Sequence, residues 1–495
     1  MKYNDRLRMS TIPRTPHPSR EGTLSPGRPA SGIVIAGAGP AGMACALGLA
    51  RRGRAATVVE KDSRCGGLCQ TIDFDGSLFD IGGHRFLTRL GEVGALWQEI
   101  MGDDLLRVKR LSRIFYRGRF FKYPLSFLDT FLNLGPVESA LCVGSYFRDR
   151  IARPADDGTF EGWIINRFGR RLYRIFFDVY SRKVWAIPGK DLSADWARQR
   201  IQGLSLKVAM RKAILGRWTS GPKTLTEEFL YPRRGPGEFF DRVRDEASGL
   251  GVRFVFDTAV SAVEHDGRRI RAVELRRGSP SAPELIPVEN FVSSMPLPQL
   301  VRALRPLPPG PVLAAADKLR FRSYLVANVI LDEKSLFPDQ WIYVHSPEVR
   351  MGRIQNYKNW SPAMIRDPDK TALGLEYFCD EGDALWRKSD TEVIDFALGE
   401  LSRIGIGSRR DLVGGFVVRR PDAYPVYVND YRQPLGVVRD YLARFENLQT
   451  IGRAGLFRYC NSDLALRMGL QAADRLLGFR SMDPWDIGRE QDYLE

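Results

Sequence analysis

The residues best able to do chemistry lie near the start of the chain. Gly37-Ala38-Gly39-Pro40-Ala41-Gly42 spells GxGxxG, Glu60 follows eighteen residues beyond Gly42, and Arg64-Cys65-Gly66-Gly67 follows the acid. In such a series Gly37 permits a tight turn, Gly39 lets backbone N–H groups approach a pyrophosphate, and Gly42 lets a helix pack close to a strand. The helix that follows offers unpaired N–H groups and the positive end of its dipole to phosphates. Glu60 can accept hydrogen bonds from both ribose hydroxyls and repels a 2′-phosphate, which disfavours NADP. Pro40, Ala41, Lys61 and Leu68 are expected to line the same site. The motif by itself does not choose FAD over NAD.

A second cluster is Asp80-Ile81-Gly82-Gly83-His84-Arg85-Phe86. Adjacent Gly82 and Gly83 let a backbone lie flat against a ring, and a flavin is such a ring. His84 is then expected beside it, as a hydrogen-bond partner or substrate contact, and Arg85 as a contact to phosphate or carboxylate. Tyr424 and Tyr459 are further candidate substrate contacts. Arg353, Asn356, Lys358, Asn359 and Trp360 form a polar-aromatic group that either caps the pocket or is a solvated loop. Glu376 is a candidate proton acceptor, or else a buried acid paired to an arginine. Lys183 is a base only if burial lowers its pKa.

These groups need elements to hold them. Ile33-Val34-Ile35-Ala36 reads as a buried strand, Met43 to Arg52 as a helix stopped by Gly53, and Thr57-Val58-Val59 as a second strand, which makes a βαβ unit. Five glycines and a proline between Gly32 and Ala50 exclude a membrane span there. Phe160, Ile164, Phe168, Leu172, Phe176 and Tyr180 recur at helical spacing over 160–184, as one long helix or a pair. Their stripe is read as core-facing, with a substrate lining or a membrane contact as the alternatives. Strands are expected at 253–256, 270–275, 290–294, 324–331, 372–378 and 415–418. A closing unit follows at 448–453, with a helix from 463 to 477. The domains expected are a basic, disordered tail at 1–31, a discontinuous cofactor domain at 32–110, 235–300 and 410–480, a helical insert at 111–234, and a substrate-binding sheet domain at 301–409.

The net charge of +15 comes from 74 Lys+Arg against 59 Asp+Glu. This suits an anionic substrate, although scattered surface charge gives the same total. No basic helix or RNA-binding signature points to nucleic acid. Cys65 and Cys69 lack a second pair to complete a zinc site, so no metal is expected. Six cysteines are too few for a disulfide framework in a chain of 495 residues and read as thiols of a reducing, cytoplasmic protein.

The Gly66-Gly67 turn resembles the double-glycine extension of the glutathione-reductase-type FAD fold, and this selects FAD. From Gly32 to Thr88 and from Ser293 to Leu477 the chain resembles the amine-oxidase and protoporphyrinogen-oxidase-like branch of FAD enzymes. It is similar to UDP-galactopyranose mutases at two places. Gly82-Gly83-His84-Arg85-Phe86-Leu87-Thr88 keeps the first His of their Gly-Pro-His-Ile-Phe-His-Thr stretch and has Leu87 in place of the second. Gly452-Arg453, Phe457-Arg458-Tyr459, Asn461 and Asp463 match the second place. The resemblance implies Arg453 and Asp463 at the flavin and its ribityl-phosphate arm, Tyr459 toward substrate phosphates, and Ser294 in a segment that closes around FAD. Val260 and Gly452 complete the expected cofactor set. Residues 180–185, 195–201 and 231–237 resemble a protoporphyrinogen-oxidase-like group instead.

The fold implied is α/β, a discontinuous glutathione-reductase-type FAD-binding Rossmann domain with an α+β substrate-binding domain. The function implied is an FAD-dependent oxidase, dehydrogenase or desaturase acting on an anionic small molecule or lipid-linked substrate. A nucleotide sugar or phosphorylated lipid is the partner in view, with peripheral membrane contact left open. A redox-neutral sugar mutase using reduced FAD is the alternative. A non-catalytic escort protein is disfavoured by the intact set Gly39, Glu60 and Gly67.

Overall fold

Ile33–Ala36 is apolar and buried along its whole length, as a strand covered on both faces must be. It is the middle of a five-stranded parallel sheet in the order Arg253–Val255, Thr57–Val59, Ile33–Ala36, Asn290–Ser293, Leu448–Thr450. The helix Pro40–Ala50 leaves this strand through a short turn. It is apolar all round because helices pack on it from two sides, Ser462–Leu476 and Pro236–Gly249. A smaller sheet made of Thr258–His265, Ile270–Arg277, Glu284–Pro287 and Leu304–Arg305 adjoins it. The computed structural model describes residues 8–9, 32–123, 125, 127–152, 157–200, 227–278 and 282–487.

The second body is an eight-stranded sheet built around three long strands, Leu412–Pro425, Phe321–Leu331 and Thr371–Cys379. Arg353–Asn356, Trp341–Val344, Ser112–Tyr116 and Arg119–Lys122 extend it on one side. Two of its strands therefore come from the segment expected to be a helical insert, and its longest comes from the segment expected to be cofactor domain. The strand expected at 415–418 runs from Leu412 to Pro425. A register shift between Arg322 and Tyr324 lets the ladder continue past Pro421. Within the expected tail, Arg8–Met9 pair in parallel with Gly414 and Gly415. The rest of 1–31 lies outside the described residues.

The segment 160–184 is a broken helix. Phe160–Phe168 ends at Gly169 (φ +82°), and after a short turn of helix Tyr173–Asp178 is π-helical before Val179–Trp185 resumes. Phe160, Ile164, Leu172 and Phe176 are buried, so the stripe faces the core.

Candidate functional site

The turn after Ile33–Ala36 is shaped by steric need. A Cβ at Gly42 would sit 1.9 Å from the carbonyl oxygen of Gly37, so only glycine lets the helix start there. A Cβ at Gly67 (φ +56°) would lie 3.1 Å from Gly39 Cα, because the double-glycine turn presses on the first one. Gly39 differs from both. A Cβ there would meet no protein atom within 4 Å, and its open side faces a cleft of about 590 Å³. That size is ordinary for a small-molecule site.

Gly37, Gly39, Pro40, Ala41, Glu60 and Lys61 line this cleft, as do Gly67, Leu68, Gly83 and His84, and also Val260, Ser294, Gly452 and Arg453. Gly42, Gly66 and Gly82 stand behind that wall. Asp463, expected at the cofactor's phosphate arm, is buried in the first turn of Ser462–Leu476 and is not part of the lining. Glu60 is buried, and burial raises its pKa. Oε2 accepts from Ala38 N at 2.6 Å and Oε1 from Asp62 N at 3.0 Å. A carboxylate oxygen accepts more than one hydrogen bond, so both keep capacity for hydroxyls in the cleft.

The Asp80–His84 segment is bolted down from below. The Tyr357 hydroxyl donates to Asp80 O at 2.6 Å and the Tyr324 hydroxyl to Ile81 O at 2.6 Å. The Tyr231 hydroxyl donates to Asp80 Oδ2 at 2.5 Å and Thr71 Oγ1 to Asp80 Oδ1 at 2.7 Å. Burial pushes Asp80 up to about 7, against the pull of these hydroxyls. His84 Nε2 donates to Ile81 O at 2.9 Å, a tautomer assigned from its acceptor. Burial first, and the charge of Arg453 second, lower its pKa to about 4, so the ring is neutral at pH 7. At that pH the ring carries no charge and holds its hydrogen bond to Ile81 O.

Beyond His84 the cleft is cationic and aromatic. Arg85 lies 5.3 Å over the Trp341 ring. Arg453 lies 4.8 Å over Tyr459 and 5.3 Å over Tyr424, whose rings stack 5.9 Å apart. Its Nε and Nη2 donate to Cys460 O. Arg353 donates to the Tyr424 hydroxyl at 3.2 Å. Neither Arg85 nor Arg453 has a carboxylate partner among the described residues. Arg353 Nε and Gln355 Oε1, two polar atoms of lining residues, are buried without a hydrogen-bond partner, as polar atoms that wait for a ligand are.

The expected acid and base candidates are engaged elsewhere. Glu376 has no solvent exposure and does not line the cleft. It pairs with Arg353 Nη2 at 2.6 Å and accepts from Gln355 Nε2 at 2.8 Å, which makes it the paired buried acid of the two readings. Lys183 is lowered to about 8 by burial, yet its Nζ donates to three carbonyls, those of Val344, Ser346 and Met351. Of the expected cap, Arg353 and Trp360 line the cleft. Asn356, Lys358 and Asn359 hold main-chain carbonyls behind it. Sequence reasoning missed Gln355 and Arg420. Arg420 bridges Asp62 at 3.0 Å and Gln70 at 2.5 Å, tying the large sheet to the cofactor segment.

Comparison with known proteins agrees with this geometry. The family described as flavin containing amine oxidoreductase matches residues 40–477. Among solved structures, a reduced UDP-galactopyranose mutase superposes with TM-score 0.79 at 22% identity, over 91% of this chain and 96% of that one. A protoporphyrinogen oxidase candidate from Exiguobacterium sp. 255-15 gives 0.67 at 19%, over 91% and 100%. A putrescine oxidase bound to putrescine gives 0.57 at 15%, over 90% and 98%. At these identities the likeness speaks for the fold.

Proposed function

Because this chain belongs to the flavin-containing amine oxidoreductase family and its cofactor is FAD, we propose that it is an oxidoreductase for an anionic substrate. The substrate class is a phosphorylated small molecule or lipid-linked phosphate. The observation that carries the reading is the charge at the substrate end. Among the described residues Arg85 and Arg453 face the cleft without a carboxylate partner, while Glu376 behind the wall is consumed by Arg353. A cationic amine would be repelled there, whereas guanidinium groups suit phosphate or carboxylate.

The residues present fit the cofactor. The open side of Gly39 and the N-terminus of Pro40–Ala50 would hold the pyrophosphate, Glu60 the ribose, and Gly83, His84, Gly452 and Arg453 the ring end. Bound FAD supplies hydride acceptance from a substrate C–H bond. The chain's own residues bind and orient. His84 presents a neutral ring, the tyrosine clamp under Asp80–Ile81 fixes its height, and Tyr459, backed by Tyr424, joins Tyr343 and Trp341 as flat walls that exclude water. Arg85 would draw the anionic group to one end and the open Nε of Arg353 would donate to it, which sets which substrate bond meets the flavin.

One observation favours a second reading, a redox-neutral sugar isomerisation with reduced FAD. Glu376, Lys183 and His84 are all engaged or neutral, so the substrate end is better furnished to hold a diphosphate than to take up a proton. Thermal-shift titration of the flavin-loaded protein with UDP-sugars and isoprenoid phosphates tests the shared claim. Stabilisation by phosphorylated ligands and none by putrescine is expected. No shift with any anion would overturn the substrate class.

A further inference from the structure

Two consecutive helices, Phe127–Leu134 and Pro136–Ala152, carry apolar side chains outward as well as inward. On the second, Ser139, Cys142, Tyr146 and Asp149 are turned inward and buried. Asp149 accepts from Arg170 N at 2.7 Å and Ser145 Oγ at 3.1 Å. The outward face carries Val137, Leu141, Phe147 and Ile151 at 73, 47, 52 and 86% exposure, with Ala140 and Gly144 between them. Leu132 on the first helix is 80% exposed. A soluble surface helix keeps its outward face polar. Five of the eleven exposed large hydrophobics among the described residues sit on this pair. A concentration of that kind marks a docking surface.

We propose that this face docks the protein onto an anionic lipid bilayer. Its outward side carries Arg150 and Arg148, the second of which pairs with Asp149 at 3.1 Å. Its carboxylates are withdrawn: Asp149 is buried, Glu138 pairs with Arg171 at 2.5 Å, and Asp129 accepts from Lys122 N at 2.8 Å. An apolar face on which Arg150 is the charge without a carboxylate partner among the described residues suits acyl chains beneath acidic headgroups. A second copy facing it would set arginines against arginines. No helix among the described residues is long and apolar enough to cross a membrane, so the pair lies along the surface. The docking face also backs onto the cleft. Phe131 and Leu134 pack in one apolar cluster with Tyr123 and Tyr343, whose rings are 4.6 Å apart, and Tyr343 lines the substrate end. Docking there brings the aromatic wall of the cleft to the headgroup layer, where a lipid-linked anion would be found.

The inference does not depend on which reaction the cleft runs. It is tested by cosedimentation of the flavin-loaded protein with vesicles of phosphatidylglycerol and phosphatidylcholine, beside vesicles of phosphatidylcholine alone. Wild type is expected to pellet with the anionic vesicles and more weakly with the neutral ones. A combined Leu141→Glu, Phe147→Glu, Ile151→Glu variant should keep its flavin and lose about tenfold or more in vesicle affinity, since three apolar anchors are gone. Wild type left in the supernatant, or a triple variant that still pellets, overturns the proposal. So does a wild-type dimer without vesicle binding that the triple variant breaks, which would give the face to a second copy.

Discussion

Arg353 and Glu376 stand opposite each other on neighbouring antiparallel strands and pair at 2.6 Å, with Glu376 wholly buried. The pair leaves one face of Arg353 on the cleft while its charge is balanced from behind. Removing one member of a buried pair strands the other, at a cost of about 3–5 kcal/mol. Glu376→Ala should therefore lower the melting temperature of the flavin-loaded protein far more than Glu376→Gln, which keeps a hydrogen-bonding group. Differential scanning fluorimetry of both variants checks this. Equal melting temperatures would deny the pair its structural role.

The glycines of the first turn should separate folding from cofactor binding. Gly39→Val places its side chain in the cleft, so the chain should fold and purify colourless. Gly42→Ala drives a methyl into Gly37 O and should destabilise the fold, by about 1–3 kcal/mol as overpacked cores do. Visible absorbance and urea unfolding of the two variants report this. A yellow Gly39→Val protein would move the phosphates elsewhere.

The pKa of His84 in the folded protein, about 4, lies below its ordinary 6.5. Between these values the unfolded chain binds the proton and the folded protein does not, so His84 costs stability as pH falls and nothing above 6.5. Asp80, raised to about 7, has the opposite sign: its folded form holds a proton that the unfolded form releases, so its contribution falls as pH rises from 3.8 to 7. The total curve mixes both, whereas a difference isolates one. The stability of wild type relative to His84→Gln should rise with pH from about 4 to 6.5, by at most about 1.4 kcal/mol per unit, and then level off. Urea unfolding of both proteins at equal flavin load measures it. A flat difference would mean that the ring is not desolvated.

Arg85 should act on binding. Arg85→Gln is expected to raise KM for an anionic substrate by about tenfold or more, the scale of one lost charge-assisted hydrogen bond, with kcat little changed. Steady-state kinetics at two ionic strengths reads it out. A fall in kcat with constant KM would place Arg85 at the reacting atoms.

The turn that opens the cleft was legible because its logic is local. Gly37 to Gly42, Glu60 and Gly66-Gly67 lie within one βαβ unit, and their spacing follows from the turn they make. The clamp under His84 was not legible. Tyr231, Tyr324 and Tyr357 reach Asp80 and Ile81 from 151, 243 and 277 residues away, and no local pattern marks a tyrosine whose partner is a distant carbonyl. Glu376 was readable as an acid on a strand, but only the register that sets it opposite Arg353 tells a paired acid from a proton acceptor. Arg420 was hidden for a related reason. It lies beyond the short strand expected at 415–418, and only the pairing of Arg420 with Tyr324 carries the strand on to it.

The central claim, oxidation of an anionic substrate by the flavin, is tested most directly by anaerobic mixing of the oxidised holoprotein with phosphorylated, carboxylated and amine substrates. The visible flavin band is followed. The account predicts bleaching by a phosphorylated or carboxylated compound and none by putrescine. Bleaching by amines alone would contradict it. So would UDP-sugar isomerisation by dithionite-reduced protein with no bleaching by any anion, which would make the flavin's role redox-neutral.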